Sequence, residues 1–157
     1  MASKRRSRPS RSSRRARVRP RRFGDSRPEQ ALEEQFNHHG PYAIRQNYLF
    51  LDGRGVGEMW LTPGGGYTGP PNFRVVEVQK ISIDGPLQHR GHARAAMTQL
   101  LRMADAHDLT IKLEPVDYMG ASKPQLVAFY ASLGFVKYAG RNLMRRKPHA
   151  RLTSATG

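Results

Sequence analysis

Residues 81–93 are Ile-Ser-Ile-Asp-Gly-Pro-Leu-Gln-His-Arg-Gly-His-Ala, and this stretch decides the fold. It begins where a strand pattern rich in Val and Ile ends, and it continues into a helix pattern. The first N–H groups of a helix have no intrahelical acceptor and lie at the positive end of the helix dipole, so such a turn can bind an anion. Gly91 leaves room there for a ligand. A strand, a turn with glycine and a helix are common together, so the neighbouring segments must support this interpretation.

The segments around the turn predict an α/β domain with a mixed sheet. Before it, Ser26 and Glu29 form a capping-box pattern that opens a short helix to about His38. Asp52-Gly53 predicts a hairpin turn. The other predicted elements, in chain order, are strands at 44–51, 56–61 and 73–83, a helix from about His89 to His107, a strand at 109–113, a helix opened by Ser122 and Gln125 and ended by Gly134, and strands at 135–138 and 143–146.

Two motifs in this order resemble those of the GNAT superfamily of N-acetyltransferases. The first, Q/R-x-x-G-x-G/A, is met by Gln88, Gly91 and Ala93. The second is an aromatic-Tyr helix that continues into Leu-Gly-Phe, here Phe129 to Phe135. The similarity covers roughly residues 26–147 and implies a mostly antiparallel mixed sheet that is splayed at a coenzyme site and flanked by helices.

The resemblance implies acetyl-coenzyme A as the donor. We expect no metal, because no ligand set at a standard spacing accompanies the adjacent His38 and His39. The family holds the coenzyme pyrophosphate on the turn, and the backbone of the strand before it pairs with the pantetheine arm. The implied cofactor-binding residues are Ile81, Ser82, Ile83, Gln88, His89, Gly91, His92 and Ala93, with Arg90 and Arg94 adding charge near the phosphates or lying solvated at the helix start.

The resemblance also assigns catalytic roles. Tyr130 matches the tyrosine near the coenzyme sulfur and would be the general acid, although it also lies on the apolar stripe of its helix. Glu77 lies eleven residues before Gln88, at the spacing of a glutamate that deprotonates the amine, and it is equally compatible with a solvent-facing strand residue. Glu114 and Asp117 are reserve bases.

One position departs from the family pattern. Many members carry Asn seven residues before the tyrosine, and here the residue is Lys123. This change removes one expected hydrogen bond to the coenzyme arm. It leaves the predicted fold unchanged.

The basic charge is concentrated at one end of the chain. Lys4 and ten arginines among residues 1–22 carry eleven of the positive charges behind the net charge of +15. We expect residues 1–24 to form a disordered tail, residues 25–148 an acetyltransferase domain, and residues 149–157 a flexible C-terminus. Residues 1–22 would bind nucleic acid or another polyanion without reading its sequence, or they would only add solubility.

Composition limits the remaining choices. The chain has no cysteine, which excludes disulfides and thiol nucleophiles, and no apolar run or signal pattern suggests a membrane partner. Together with these limits, the resemblance leads us to expect a cytoplasmic N-acetyltransferase that acts on a primary amine of a protein or small molecule. The alternative is a nucleic-acid-associated structural or packaging protein with a catalytically silent domain. The acceptor and the oligomeric state, with a homodimer as one option, stay open.

Overall fold

The computed structural model describes residues 28–65, 72–116, 121–138 and 142–149. The predicted tail (1–24), the cap Ser26 and the reserve base Asp117 therefore lie outside the described residues, as do residues 150–157. The helices are α1 (Pro28–Asn37), α2 (His92–His107) and α3 (Lys123–Ser132), with a 3₁₀ turn at Gly85–Leu87. The strands are β1 (Tyr42–Arg45), β2 (Tyr48–Leu51), β3 (Arg54–Gly64), β4 (Asn72–Ile83), β5 (Thr110–Leu113), β6 (Val136–Tyr138) and β7 (Leu143–Arg146).

The seven strands form one mixed sheet in the order β1-β2-β3-β4-β5-β7-β6. Only β4 and β5 run parallel, and every other neighbouring pair is antiparallel. This topology confirms the predicted fold class. No helix among the described residues is long and apolar enough to cross a membrane.

The helices pack on one face of the sheet. The apolar side chains of α1 and α2 bury against this face, and Phe36, Met97 and Leu100 are fully buried there. Helix α2 connects β4 to β5, and helix α3 connects β5 to β6, which runs parallel to β5. Both connections move in the same direction across the sheet. Because such crossovers are right-handed, α2 and α3 lie on the same face. Val76, Ile111 and other alternate strand residues complete the core.

The local signals at turns and caps are confirmed. Asp52 and Gly53 have positive φ angles of 50° and 77°, as a hairpin turn of this type requires. Ser122 accepts from the backbone N–H of Gln125, and the Gln125 side chain accepts from the N–H of Ser122. Gly134 follows α3 with a φ of 94°.

The single strand predicted at 44–51 is wrong. A tight turn at Gln46 and Asn47 divides it into β1 and β2, and both residues have positive φ. The carboxylate of Glu33 on α1 accepts from the N–H groups of Gln46 (3.3 Å) and Asn47 (3.1 Å). A helix distant in sequence thus stabilises a turn that lacks the usual Asn-Gly pattern.

Buried Gln99 ties the α1–β1 connection to α2. Its side chain is 1% exposed. It accepts from the N–H of Tyr42 at 2.9 Å and donates to the carbonyls of Phe36 (2.9 Å) and Tyr42 (2.7 Å). Both backbone groups of Tyr42 therefore rely on this amide, and the Phe36 carbonyl accepts from it as well as from the N–H of His39.

Replacing this amide should destabilise the protein. Gln99→Leu leaves the N–H and the carbonyl of Tyr42 without their partner, at a cost of about 1–3 kcal/mol for each that stays buried, while the Phe36 carbonyl keeps the N–H of His39. We expect a loss of at least about 2 kcal/mol in the free energy of unfolding, measured by urea denaturation. The control Gln30→Leu changes an exposed residue of α1 and should be nearly neutral. Equal stability of the two variants would contradict the role of Gln99.

Candidate functional site

A cleft opens where β4 and β5 separate. The two strands pair only from Val75–Thr110 to Val78–Leu113, and β4 then continues for five residues beside β3 alone. Gln79 is an extra residue in the β3–β4 ladder, since Trp60 pairs with Lys80 and Leu61 with Val78. This β-bulge bends β4 at the point where it leaves β5. The resulting cavity has a volume of about 990 Å³, at the upper end for small-molecule sites.

The turn that follows β4 forms one end of the cleft. The Gln88 side chain donates to the carbonyl of Ile83 at 3.1 Å and so fixes the turn to the end of the strand. Gly91 is the N-cap of α2 with a φ of 82°. The helix begins at His92, so the predicted start near His89 is wrong by three residues. His89, itself at φ 62°, and Gly91 bend the chain before the helix can form.

The N-terminus of α2 presents backbone donors to the cleft. The first hydrogen bond within the helix runs from the N–H of Ala95 to the carbonyl of Gly91 at 2.9 Å. The N–H groups of His92, Ala93 and Arg94 precede it and have no acceptor inside the helix. With the helix dipole, they suit a negatively charged group such as a phosphate.

Tyr42 anchors the first residue of α2. Its hydroxyl lies 2.8 Å from Nδ1 of His92, across fifty positions of sequence. Burial raises the pKa of Tyr42, so the hydroxyl keeps its proton and donates to Nδ1 when Nε2 carries the imidazole proton. His92 lines the cleft, and this contact holds its ring in place.

Helix α3 supplies the opposite wall. Tyr130 lines the cleft and is only 7% exposed, in edge-on contact with the rings of Phe129 and Phe135. Burial raises the pKa of Tyr130 to about 12, so its phenol stays protonated at neutral pH. Arg94 joins the two walls, because it donates to Ser132 Oγ at 3.0 Å and its guanidinium lies 5.2 Å from the centre of the Phe129 ring.

The cleft brings together most of the predicted site residues. Tyr130 and nine of the ten cofactor-binding candidates line it, and the exposed Arg90 does not. Lys123 lies outside it, beside a smaller groove at the start of α3. Sequence reasoning missed lining residues that only the three-dimensional fold assembles, namely Trp60, Thr62, Val78, Gln79, Lys80, Leu87, Leu113, Val116, Ala121, Gln125, Leu126 and Phe129.

The carboxylates are divided between the cleft and its outer edge. Glu114 lines the cleft at the end of β5 and is exposed. Glu77 does not line it, but its Oε2 accepts from Nε2 of Gln79 at 3.1 Å. The same Gln79 nitrogen lies 3.0 Å from Thr62 Oγ1. Glu77 therefore contacts the wall of the cleft through the side chain of Gln79.

Comparison with solved structures places this architecture among acetyltransferases. The ribosomal-protein-S18-alanine N-acetyltransferase from Escherichia coli matches with a TM-score of 0.50 and 19% identity, over 76% of this chain and 79% of that one. Ard1 from Thermoplasma volcanium matches with a TM-score of 0.48 and 16% identity, over 76% and 80%. The Bacillus subtilis N-acetyltransferase YlbP, solved in complex with coenzyme A, gives 0.43 and 21%, over 69% and 68%.

The match to the Escherichia coli enzyme shows that the chain has the fold of the GNAT acetyltransferases. No protein-family model and no curated protein sequence matches the chain.

The positive φ of Gly91 gives a direct test of the turn. A Cβ at Gly91 or at Gly85 would meet no atom within 4 Å, but only Gly91 has a left-handed backbone. Gly91→Ala should therefore lose about 1 kcal/mol of unfolding free energy. Gly85→Ala, the matched control, should be neutral or slightly stabilising when both are measured by urea denaturation. Equal effects would contradict the strained turn.

Proposed function

We propose that the protein is an acetyl-coenzyme A-dependent N-acetyltransferase that acetylates a primary amine. The cleft between β4 and β5 is the observation that carries this proposal. It joins an anion-binding helix N-terminus, a strand edge released from its neighbour and a buried protonated tyrosine in one cavity. The Escherichia coli protein that shares the fold is itself an N-acetyltransferase.

The donor fits the cleft in two parts. The pyrophosphate would lie against the backbone N–H groups of His92, Ala93 and Arg94 at the start of α2. The pantetheine arm carries amides that need backbone partners, and Ile81, Ser82 and Ile83 lie where β4 no longer pairs with β5. Gln88 supports both parts, because its bond to the Ile83 carbonyl sets the distance between strand and turn.

The transfer step exchanges one bond for another. The neutral amine nitrogen attacks the thioester carbonyl carbon, the C–N bond forms, and the C–S bond breaks as the tetrahedral intermediate collapses. The departing sulfur takes a proton from the Tyr130 hydroxyl, and the amine gives up a proton to a carboxylate or to water. Phe129 and Phe135 pack edge-on against the Tyr130 ring and cover part of it.

The geometry favours Glu114 over the sequence-predicted Glu77 as the group that receives the amine proton. Glu114 faces the cavity directly, whereas Glu77 reaches it only through Gln79. A base must lie within hydrogen-bond distance of its proton, directly or through one water. Glu77 therefore requires a water bridge that Glu114 does not.

We also propose that residues 1–22 hold the enzyme close to nucleic acid. Eleven cationic side chains and no acid in 22 residues give strong, salt-dependent attraction to phosphate backbones. The remaining residues carry a net charge of only +4. The amine acceptor would then be a component of a nucleoprotein or a molecule that accompanies it.

Tyr130→Phe tests the proposed acid. The phenylalanine keeps the ring packing but has no proton to donate, so kcat for acetylation of an amine should fall about 100-fold with little change in KM for acetyl-coenzyme A. Because the raised pKa keeps Tyr130 protonated, wild-type kcat should show no alkaline decline below about pH 10. An unchanged kcat in the variant would remove Tyr130 from the mechanism.

Two isosteric variants distinguish the carboxylates. Glu114→Gln should lower kcat/KM about 100-fold and shift the acid limb of its pH profile, since the amine then loses its proton acceptor. Glu77→Gln should change kcat/KM less than about threefold, because it keeps the hydrogen-bonding capacity toward Gln79. The opposite ranking would assign the base to Glu77, and two unaffected variants would leave deprotonation to bulk water.

A further inference from the structure

The sheet face opposite the helices, here the open face, is uncovered by any described helix. Cross-strand partners share a face, so the pairs Tyr48–Glu58, Trp60–Lys80 and Lys112–Arg145 define it. Most of its described residues are at least partly exposed, while their neighbours on the other face are mostly buried. This surface meets the cleft at Trp60, Thr62, Lys80 and Ser82, which also line the cavity, and its other residues lie outside it.

Large aromatic side chains are concentrated on the open face. Tyr48 is 57% exposed, Trp60 41% and Phe73 62%, and Tyr138 is partly exposed. Contiguous exposed apolar surface on a soluble protein often marks a binding site, and Tyr48 and Trp60 lie on neighbouring strands. Trp60 lies two residues beyond Glu58, the partner of Tyr48, so Tyr48 and Trp60 occupy diagonal positions on neighbouring strands, a spacing of about 7–8 Å between the residues.

Cations accompany these rings. Lys80 Nζ lies 5.7 Å from the Trp60 ring centre, and Tyr138 has Lys112 Nζ at 5.4 Å and the Arg145 guanidinium at 5.0 Å. Arg45 is the cross-strand partner of Tyr48 and is exposed. Trp60, Tyr138 and Tyr48 therefore each have a positively charged side chain nearby.

The acidic residues of the open face do not reverse this charge. Glu58 is ion-paired with Lys80. Glu77 lies between Thr62 and Lys112 across the strands and accepts from Gln79. Among the described strand residues of this face, four cations (Arg45, Lys80, Lys112 and Arg145) therefore stand against two carboxylates.

Exposed rings separated by cations match the chemistry of single-stranded nucleic acid. Unpaired bases stack on aromatic side chains while phosphates contact Lys and Arg, and every base has a face that can stack. A duplex hides its base faces and cannot use the rings. A protein subunit interface would instead need a continuous apolar core depleted of charge, which the charged residues between the rings interrupt.

We infer that the open face binds single-stranded nucleic acid, with bases stacked on Tyr48 and Trp60 and the backbone held by the neighbouring cations. This site belongs to the folded domain and is separate from the proposed tail, which recognises charge alone. It does not depend on the acetylation chemistry. RNA and DNA share the chemistry that the face recognises.

The only tryptophan of the chain reports on this site. The full-length protein is titrated with oligomers of about 12 nucleotides, oligouridylate RNA and oligothymidylate DNA, at about 0.3 M salt to weaken the charge-driven contribution of the tail. Binding is followed by anisotropy of the labelled oligomer and by tryptophan fluorescence. A base stacked on Trp60 should quench that fluorescence, whereas binding to the tail should not. Quenching by either oligomer supports the inference.

Two variants of Tyr48 control for charge and folding. Tyr48→Ala should weaken single-strand binding about tenfold, and Tyr48→Phe, which keeps the ring, should bind like the wild type. A duplex of the same length should bind all three proteins equally, since only charge contributes. Because Trp60 and Lys80 also line the cleft, the affinity for the oligomer is measured by anisotropy with and without saturating acetyl-coenzyme A, and it should be the same in both.

Three results would overturn the inference. The first is oligomer binding that saturates while tryptophan fluorescence stays constant. The second is equal affinity of Tyr48→Ala and wild type for the single strand. The third is a dimer in sedimentation velocity that Tyr48→Ala dissociates without changing oligomer affinity, which would make the open face a contact between two copies of the chain.

Discussion

The separation of β4 from β5 is the constraint on which the rest of the site depends. Parallel pairing ends at Val78 and Leu113, and the bulge at Gln79 bends β4 away. Since backbone polar groups require partners, a strand edge released in this way favours a ligand that supplies amides. The same bend carries the chain into the turn before α2, so one local irregularity sets both the strand edge and the helix N-terminus that the proposed coenzyme needs.

Features set by adjacent residues could be predicted from the sequence. The capping box of Ser122 and Gln125 and the hairpin at Asp52-Gly53 depend only on local backbone preferences, and both are present. The order of strands and helices followed from hydrophobic periodicity, and the GNAT fold was predicted from two motifs. Nine of ten predicted cofactor contacts line the cleft, because they are consecutive in strand and turn.

Features set by contacts between distant residues could not be predicted. The turn at Asn47 depends on the Glu33 carboxylate, and the position of His92 depends on Tyr42, fifty residues earlier. Glu77 lies in the paired part of β4, and Glu114 lies just beyond the paired part of β5, so their positions relative to the cleft depend on where the two strands separate. The bulge at Gln79 then changes which of the later β4 residues face which side. A period of two along a strand predicts alternation, but it does not show where an extra residue interrupts the alternation.

Isothermal titration of the full-length protein with acetyl-coenzyme A is the most direct test of the central claim, that the cleft between β4 and β5 holds the donor. Wild type and Gly91→Trp are compared at about 0.3 M salt, so that capture of phosphates by the basic tail is suppressed in both. We expect one binding site per chain in the wild type and at least about tenfold weaker binding in the variant, because the indole blocks the turn. Absence of binding, or binding that Gly91→Trp leaves unchanged, would contradict it.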